Sequence, residues 1–262
     1  MTTYVWAFWY ALTFLTRLPA PYLKRTDNAV AGASLLFYPL IGAIIGAAML
    51  GFTLICVAWN PQTNLLLLSA LILLVWTAIT GALHLDGLAD SADAWVGGLG
   101  NKERTLAIMK DPRSGPIGVT AIMLVLLVKF TALYSLLDMA SAGRLSHWNF
   151  WLLIGGLLLV PMLARGSVLG LLATTPYVRE QGIASALTAG ATRNRVLVMG
   201  AVLAILVGIF LQGRALVIIA LWLTLVAFAR QLMMKRLGGC TGDTIGATIE
   251  VQEALLLAAI AL

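Results

Sequence analysis

The chain has 262 residues, of which 61% are hydrophobic and only 11% charged, against roughly 25% charged in an ordinary soluble domain. Seventeen Lys and Arg with eleven Asp and Glu are too few to make a polar shell around a fold of this size, which excludes a water-soluble enzyme and leaves the bilayer as solvent. The net charge of +6 is spread over short connectors between apolar runs, so it reads as membrane topology and not as a nucleic-acid surface.

The first residues, MTTYVWAFWYALTFLTRLPAP, have no basic segment ahead of the apolar stretch, so they do not read as a cleaved signal peptide. Tyr4, Trp6, Phe8, Trp9, Tyr10 and Phe14 with Leu12 and Leu15 suit a helix lying at headgroup level; the plainer alternative is a first spanning helix. Residues 32–59 carry no charge and make the first span, with Gly42 and Gly46 four apart for close helix contact and Pro39 at a kink or at the true start. The second span is residues 65–83, closed by His84. Residues 86–117 are polar enough to lie outside the hydrocarbon or in a wet cavity, with a turn at Gly97, Gly98 and Gly100. Spans follow at 118–137, 148–172, 196–211, 215–229 and 244–262, with a tight turn at 212–214 and a loop at 173–195. The fold expected is therefore all-α, a single polytopic helical bundle over 1–262 with about seven transmembrane helices and an interfacial N-terminal helix.

Alternation puts Arg17, Lys24 and Arg25 on the same side as three connectors. These hold Lys102, Arg104, Lys110 and Arg113; then Arg179, Arg193 and Arg195; then Arg230, Lys235 and Arg236. The other side holds Arg144 and Arg214. The basic side is expected to be cytoplasmic. Cys56 and Cys240 form no CxxC or His/Cys cluster, so neither zinc nor a redox pair is indicated.

The most informative stretch is HLDGLADSAD, residues 84–93. Asp86, Asp90 and Asp93 stand at i, i+4 and i+7, one face of a helix. Three like charges on one face favour a cation, and hard oxygen donors suit Mg2+ or Mn2+, held by a few carboxylates together with substrate phosphates. A solvated acidic surface is the bland alternative. Gly87 permits close approach of a helix or substrate, and His84 is either structural or a direct substrate contact. In the next stretch, Lys110 and Arg113 suit phosphate oxygens, while Asp111 either joins the metal or orients Arg113.

The second constellation is GGCTGDTIGATIEVQE, residues 238–253. Asp243, Glu250 and Glu253 fall on one side of a helix that Thr241 or Asp243 caps. Glu250, two turns into an apolar run, is a functional candidate as metal ligand, hydrogen-bond acceptor or base. Thr241 and Gly242 lie in a turn whose amides suit an anion, and GxxxxGK[ST] is absent. Lys129 and Arg165, inside apolar runs, either pair with a carboxylate, reach a phosphate from a cavity wall, or snorkel.

In order and spacing, these segments resemble the adenosylcobinamide-GDP ribazoletransferase (cobalamin 5'-phosphate synthase) family over essentially the whole chain. The resemblance is carried by FLTRLP at 14–19, FYPLIG at 37–42, HLDGLAD at 84–90 with Asp93, and MKDPRSG at 109–115. It continues through YVREQG at 177–182, which contains Arg179, and GGCTGDTIG at 238–246 with Glu250 and Glu253. It implies a Mg2+-dependent enzyme of the cytoplasmic (inner) membrane that joins adenosylcobinamide-GDP to alpha-ribazole or its 5'-phosphate and releases GMP. On that reading Asp86, Asp90 and Asp93 hold the metal, and Lys110, Arg113, Asp243 and Glu250 complete the catalytic set. His84, Gly87, Asp111, Lys129, Arg165, Arg179, Thr241, Gly242 and Glu253 bind substrate. Membrane lipid is an expected partner, nucleic acid is not, and a homo-oligomer is compatible with the sequence. DGLAD at 86–90 is also partly similar to the acidic motif of CDP-alcohol phosphotransferases, without their full pattern. The competing classes are that lipid-synthesising activity, an ion-coupled transporter using buried acids, and a non-catalytic scaffold.

Overall fold

Backbone N–H and C=O groups find no water in hydrocarbon, so an apolar chain satisfies them within helices. The computed structural model, which describes residues 2–141, 147–179 and 183–262, is helical throughout. Among the described residues the only strand-like pairing is one parallel bridge between Tyr177 and Cys240.

Helix α1 (Thr3–Leu15) precedes a continuous helical stretch. That stretch comprises α2 (Asn28–Ser34), a 3-10 turn and α3 (Tyr38–Trp59). Pro39 sits in the first turn of α3, directly after the 3-10 turn, so the change in helical bonding falls where proline has no N–H to give. The N-terminal aromatics do not all face lipid: Trp6 is buried, Phe8 meets Phe37 edge-on, and Phe14 stacks on Tyr38 at 6.5 Å.

Helices α4 (Leu65–Thr80) and α5 (Leu83–Gly97) meet at an 88° bend. Gly81 and Ala82 make it, with φ of 63° and 55°. Gly81 takes that conformation freely, whereas Ala82 is strained in it. The bend turns α5, with its acidic face, out of line with the span before it. Helix α6 (Lys102–Ile108) follows, so residues 86–117 are largely helical. The three acids lie on one side of α5, and its buried side carries His84, Leu85, Gly87, Leu88, Ala89 and Ser91.

Helix α7 (Pro116–Ser141) leads to α8 (His147–Thr174), which packs against α3, α9 (Arg193–Leu211) and α11 (Gly242–Ala261). Of its most apolar window 83% is buried, against 17% for residues 193–237; α8 is the central post, and α9 and α10 (Ala215–Leu237) present Leu197, Ile205, Leu216 and Phe228 outward. Such a surface is stable only against lipid tails. A 3-10 turn at Ile183–Gly190 occupies part of the expected loop. Arg144 and residues 180–182 lie outside the described residues. Helix α10 continues past 229 to Leu237, where Gly238 with φ 71° ends it. Arg230, Lys235 and Arg236 are therefore on a helix and not in a connector.

Among the described residues five helical stretches are long and apolar enough to cross a membrane, or six if the bent α4–α5 pair is one span. The seventh expected span would come from dividing the 45-residue stretch Arg193–Leu237 at Gln212, whose φ of 37° and ψ of −108° break the helix.

The α3–α8 contact depends on absent side chains. A Cβ on Gly42 would stand 2.4 Å from the Pro161 carbonyl oxygen, and one on Gly46 2.4 Å from that of Leu157; close helix approach of this kind is what small residues permit. Gly46→Leu should destabilise the purified protein by about 1–3 kcal/mol, seen as a lowered Tm in detergent. Gly51→Ala, which meets nothing within 4 Å, should leave Tm unchanged or slightly raised.

Candidate active site

The two acidic constellations meet. A Cβ on Gly87 of α5 would lie 2.8 Å from the Asp243 carbonyl oxygen, and one on Gly246 of α11 would lie 3.3 Å from the His84 Cα. The helices thus touch backbone to backbone, and Asp86 and Asp243 open into one cavity of about 710 Å³. Lys110, Tyr177, Arg179 and Gly242 stand on its walls with His84 and Gly87. Asp90, next along the α5 face, lies in the fields of Asp86, Asp243, Arg179 and Asp93.

Helix α11 starts with a capping box: Thr241 Oγ1 accepts the Thr244 N–H at 3.2 Å and Thr244 Oγ1 accepts the Thr241 N–H at 2.9 Å. Thr241 is fully buried in this role. The cap leaves Gly242 at the wall, its N–H directed to the Tyr177 ring hydroxyl, and puts the positive end of a 20-residue helix at the cavity. Residues 176–178 are stitched to the same turn: Val178 N–H donates to the Cys240 carbonyl at 3.0 Å, and Cys240 N–H to that of Pro176 at 2.8 Å. That stitch carries Arg179 to Asp243, with which it pairs at 2.7 Å. Burial pushes the Cys240 thiol up to about 11, so it is no thiolate nucleophile at neutral pH.

Asp93 was expected beside Asp86 and Asp90 as a metal ligand. Its two oxygens accept the Gly115 N–H at 2.6 Å and the Gly118 N–H at 2.9 Å, which makes it the cap of α7. Arg113 was expected at phosphate oxygens; its guanidinium, with the side chain 86% exposed, grips Asp111 at 2.7 Å, and neither is among the cavity residues. That pair holds the Asp111 carboxyl down to about 2, chiefly through the Arg113 side-chain hydrogen bond.

Lys129, Arg165, Glu250 and Glu253 form a separate, buried network deeper in the bundle. Lys129 Nζ donates to Glu250 and to Glu253, each at 2.6 Å, and lies 4.5 Å from the Trp76 ring centroid. Arg165 Nη1 donates to Glu253 at 2.6 Å and to the Pro161 carbonyl at 3.2 Å. Of the alternatives open for Lys129 and Arg165, pairing with a carboxylate is what the fold does. Two cations and two carboxylates cancel where an unpaired charge would be prohibitive. None of the four lines the cavity.

Among the described residues no three His, Cys, Asp or Glu side chains stand close enough to cage a metal by themselves. Mg2+ needs no such cage, since one or two carboxylates with substrate phosphates are its common shell. Asp86 and Asp90, one turn apart beside the cavity, have the donor chemistry for that arrangement.

Sequence reasoning missed the apolar and aromatic walls: Phe14, Tyr38, Val168, Leu172, Tyr177 and Leu187. Only the aromatic density of the N-terminus hinted at them, and it pointed equally to a membrane surface.

Lys129→Met, which strands the buried Glu250 carboxylate and leaves Glu253 to Arg165 alone, should cost about 3–5 kcal/mol and lower Tm in detergent sharply. Adding Glu250→Gln to Lys129→Met should recover part of that loss; a double variant no more stable than the single would show the pair to be uncoupled.

The Cobalamin-5-phosphate synthase family model matches residues 7–261. A protein of Pseudomonas syringae pv. syringae (strain B728a) named adenosylcobinamide-GDP ribazoletransferase is 46% identical over 261 residues, covering 97% of this chain and 98% of that protein. One of the same name from Pseudomonas aeruginosa (strain UCBPP-PA14) is 44% identical over 255 residues, covering 96% of each. No solved structure matches the chain. With the match running almost end to end and across both acidic helices, the chain belongs to the cobalamin-5-phosphate synthase family.

Proposed function

We propose that this protein transfers the adenosylcobinamide phosphoryl group of adenosylcobinamide-GDP to alpha-ribazole or its 5'-phosphate, releasing GMP. The observation that carries the reading is the meeting of Asp86 and Asp243 with Lys110 and Arg179 around one cavity, in a chain 46% identical to a protein named for this transfer.

A ribazole hydroxyl oxygen bonds to the phosphorus that stays with cobinamide, the bond from that phosphorus to the bridging oxygen breaks, and the bridging oxygen leaves with GMP. Such a transfer needs positioning and charge stabilisation more than a protein nucleophile. Lys110 and Arg179 bind phosphate oxygens, Arg179 with the bidentate fork suited to them. The start of α11 at Gly242 turns the positive end of that helix toward the same group. Asp243 takes the hydroxyl proton. It is the one residue of the expected bases Asp243, Glu250 and Glu253 on the cavity wall, and its pairing with Arg179 at 2.7 Å orients it. Asp86 and Asp90 would hold Mg2+, or Mn2+ in its place, which when bound supplies neutralising charge at the diphosphate.

The cavity mouth lies at the cytoplasmic face of the inner membrane in this reading. Lys110 and Arg179 line the cavity, and Lys102 reaches Gly238 beside Lys235 and Arg236 in the last turn of α10, the bias expected of a cytoplasmic side.

Asp86→Asn and Asp90→Asn should each reduce GMP release by about a hundred- to a thousandfold, the order expected for loss of a charge-stabilising group, while the protein stays membrane-inserted. Purified protein assayed with adenosylcobinamide-GDP, alpha-ribazole 5'-phosphate and Mg2+ measures this, and full activity in both variants would eliminate the assignment. Chelating divalent ions should stop turnover, and Mg2+ should restore it; turnover indifferent to the chelator would remove the metal from the scheme.

A further inference from the structure

The cavity changes character from rim to floor. Of the charged groups on the cavity, Asp86 and Lys110 are exposed and Arg179 and Asp243 half-buried, which places them at the rim. Going inward, α11 moves from Asp243 through Gly246 to Ile249, and α5, which crosses it with His84 against Gly246, brings His84 to that depth. Helices α3 and α8 run antiparallel, with Gly42 on Pro161 and Gly46 on Leu157. Tyr38 therefore stands level with the stretch of α8 that holds Arg165 and Val168. The floor is Phe14, Tyr38, Val168 and Ile249 with His84. Phe14 and Tyr38 stack with their planes 27° apart.

Two buried side-chain atoms of these residues, His84 Nδ1 and Tyr38 Oη, have no partner within hydrogen-bonding distance; the Ser34 hydroxyl, which acts on Tyr38, gives its own proton to the Ala31 carbonyl at 2.6 Å. His84 is 4% exposed and Tyr38 2%. Leaving such groups unsatisfied is costly, and here both belong to residues that line the cavity. The ligand they suit is a flat, mostly apolar ring with one or two polar atoms on its edge.

We propose that this floor binds the aromatic base of the ribazole acceptor, with His84 and Tyr38 as the hydrogen-bonding partners of its edge. The inference rests on the ribazoletransferase reading above. A benzimidazole whose one nitrogen carries the ribose has a single ring nitrogen left and is otherwise apolar. Guanine, the other base in the reaction, presents a carbonyl, an amino group, a ring N–H and further ring nitrogens. Among Phe14, Val168 and Ile249 most of these would be stranded, which a site of this composition rejects. A cavity of about 710 Å³ accommodates one nucleotide-sized ligand, so the bulky cobinamide stays at the rim. The acceptor base inside and the diphosphate at Lys110 and Arg179 then bring the ribose hydroxyl between them.

The test is steady-state GMP release by the purified full chain, with each substrate varied in turn. His84→Ala and Tyr38→Phe should each raise KM for alpha-ribazole 5'-phosphate about tenfold, the worth of one hydrogen bond, and leave KM for adenosylcobinamide-GDP unchanged. A rise confined to the adenosylcobinamide-GDP KM, or a fall in kcat with both KM values unchanged, would overturn the proposal. Wild-type protein provides an arm independent of folding: an acceptor nucleotide carrying guanine should show a KM more than tenfold above that of alpha-ribazole 5'-phosphate, and equal values would overturn the assignment. Wild-type protein that releases no GMP with any acceptor would instead refute the ribazoletransferase reading itself.

Discussion

The site depends on one contact, the backbone of α5 against the backbone of α11 at Gly87 and Asp243. Every other feature follows from how near those two helices stand. A side chain at Gly87 would push them apart, and with them Asp86 from Asp243 and both from Arg179. The contact sets carboxylates of like charge close together, which is unfavourable by itself. Lys110 and Arg179 on the same cavity offset it in part. In the proposed function, a hard cation and the diphosphate of the substrate would complete the balance.

Behind the site, charge is handled differently. Lys129, Arg165, Glu250 and Glu253 are 3% exposed or less and cancel in pairs at 2.6 Å. Such a network ties α7, α8 and α11 together where hydrophobic packing alone is indifferent between protein and lipid. It also stands directly behind His84, whose surroundings include Arg165, Glu253 and Lys129. The same helix, α11, therefore serves the cavity with Asp243 and anchors the bundle with Glu253, three turns apart.

The capping interactions explain why residues with similar chemistry have different positions. Asp86, Asp90 and Asp93 look equivalent along the chain, but Asp93 meets the first amides of α7, a partner that no helical periodicity reveals. Thr241 and Gly242 are neighbours, yet Thr241 is consumed in the capping box and Gly242 is left at the wall. Arg113 and Arg179 are both basic residues near acids. Arg113 turns back to Asp111 two positions away, whereas the strand-like stitch of residues 176–178 to Cys240 delivers Arg179 to Asp243.

Taken alone, the sequence determined the solvent, the helical class and the positions of most apolar segments, because an apolar chain with 11% charge has few ways to satisfy its backbone in hydrocarbon. It also marked the two acidic stretches, since an ionisable group in such a chain is expensive enough to stand out. Its reading was weakest where helices end or turn. The 88° bend at Gly81 and Ala82 and the continuation of α10 to Leu237 depend on local backbone angles and packing that hydropathy does not encode. Tertiary structure alone decided which acids share a cavity, which are neutralised in the interior, and which apolar residues from α1, α3, α8 and α11 form the cavity floor. Those outcomes depend on distances between helices far apart in the chain, and a period of 3.6 residues describes one helix at a time.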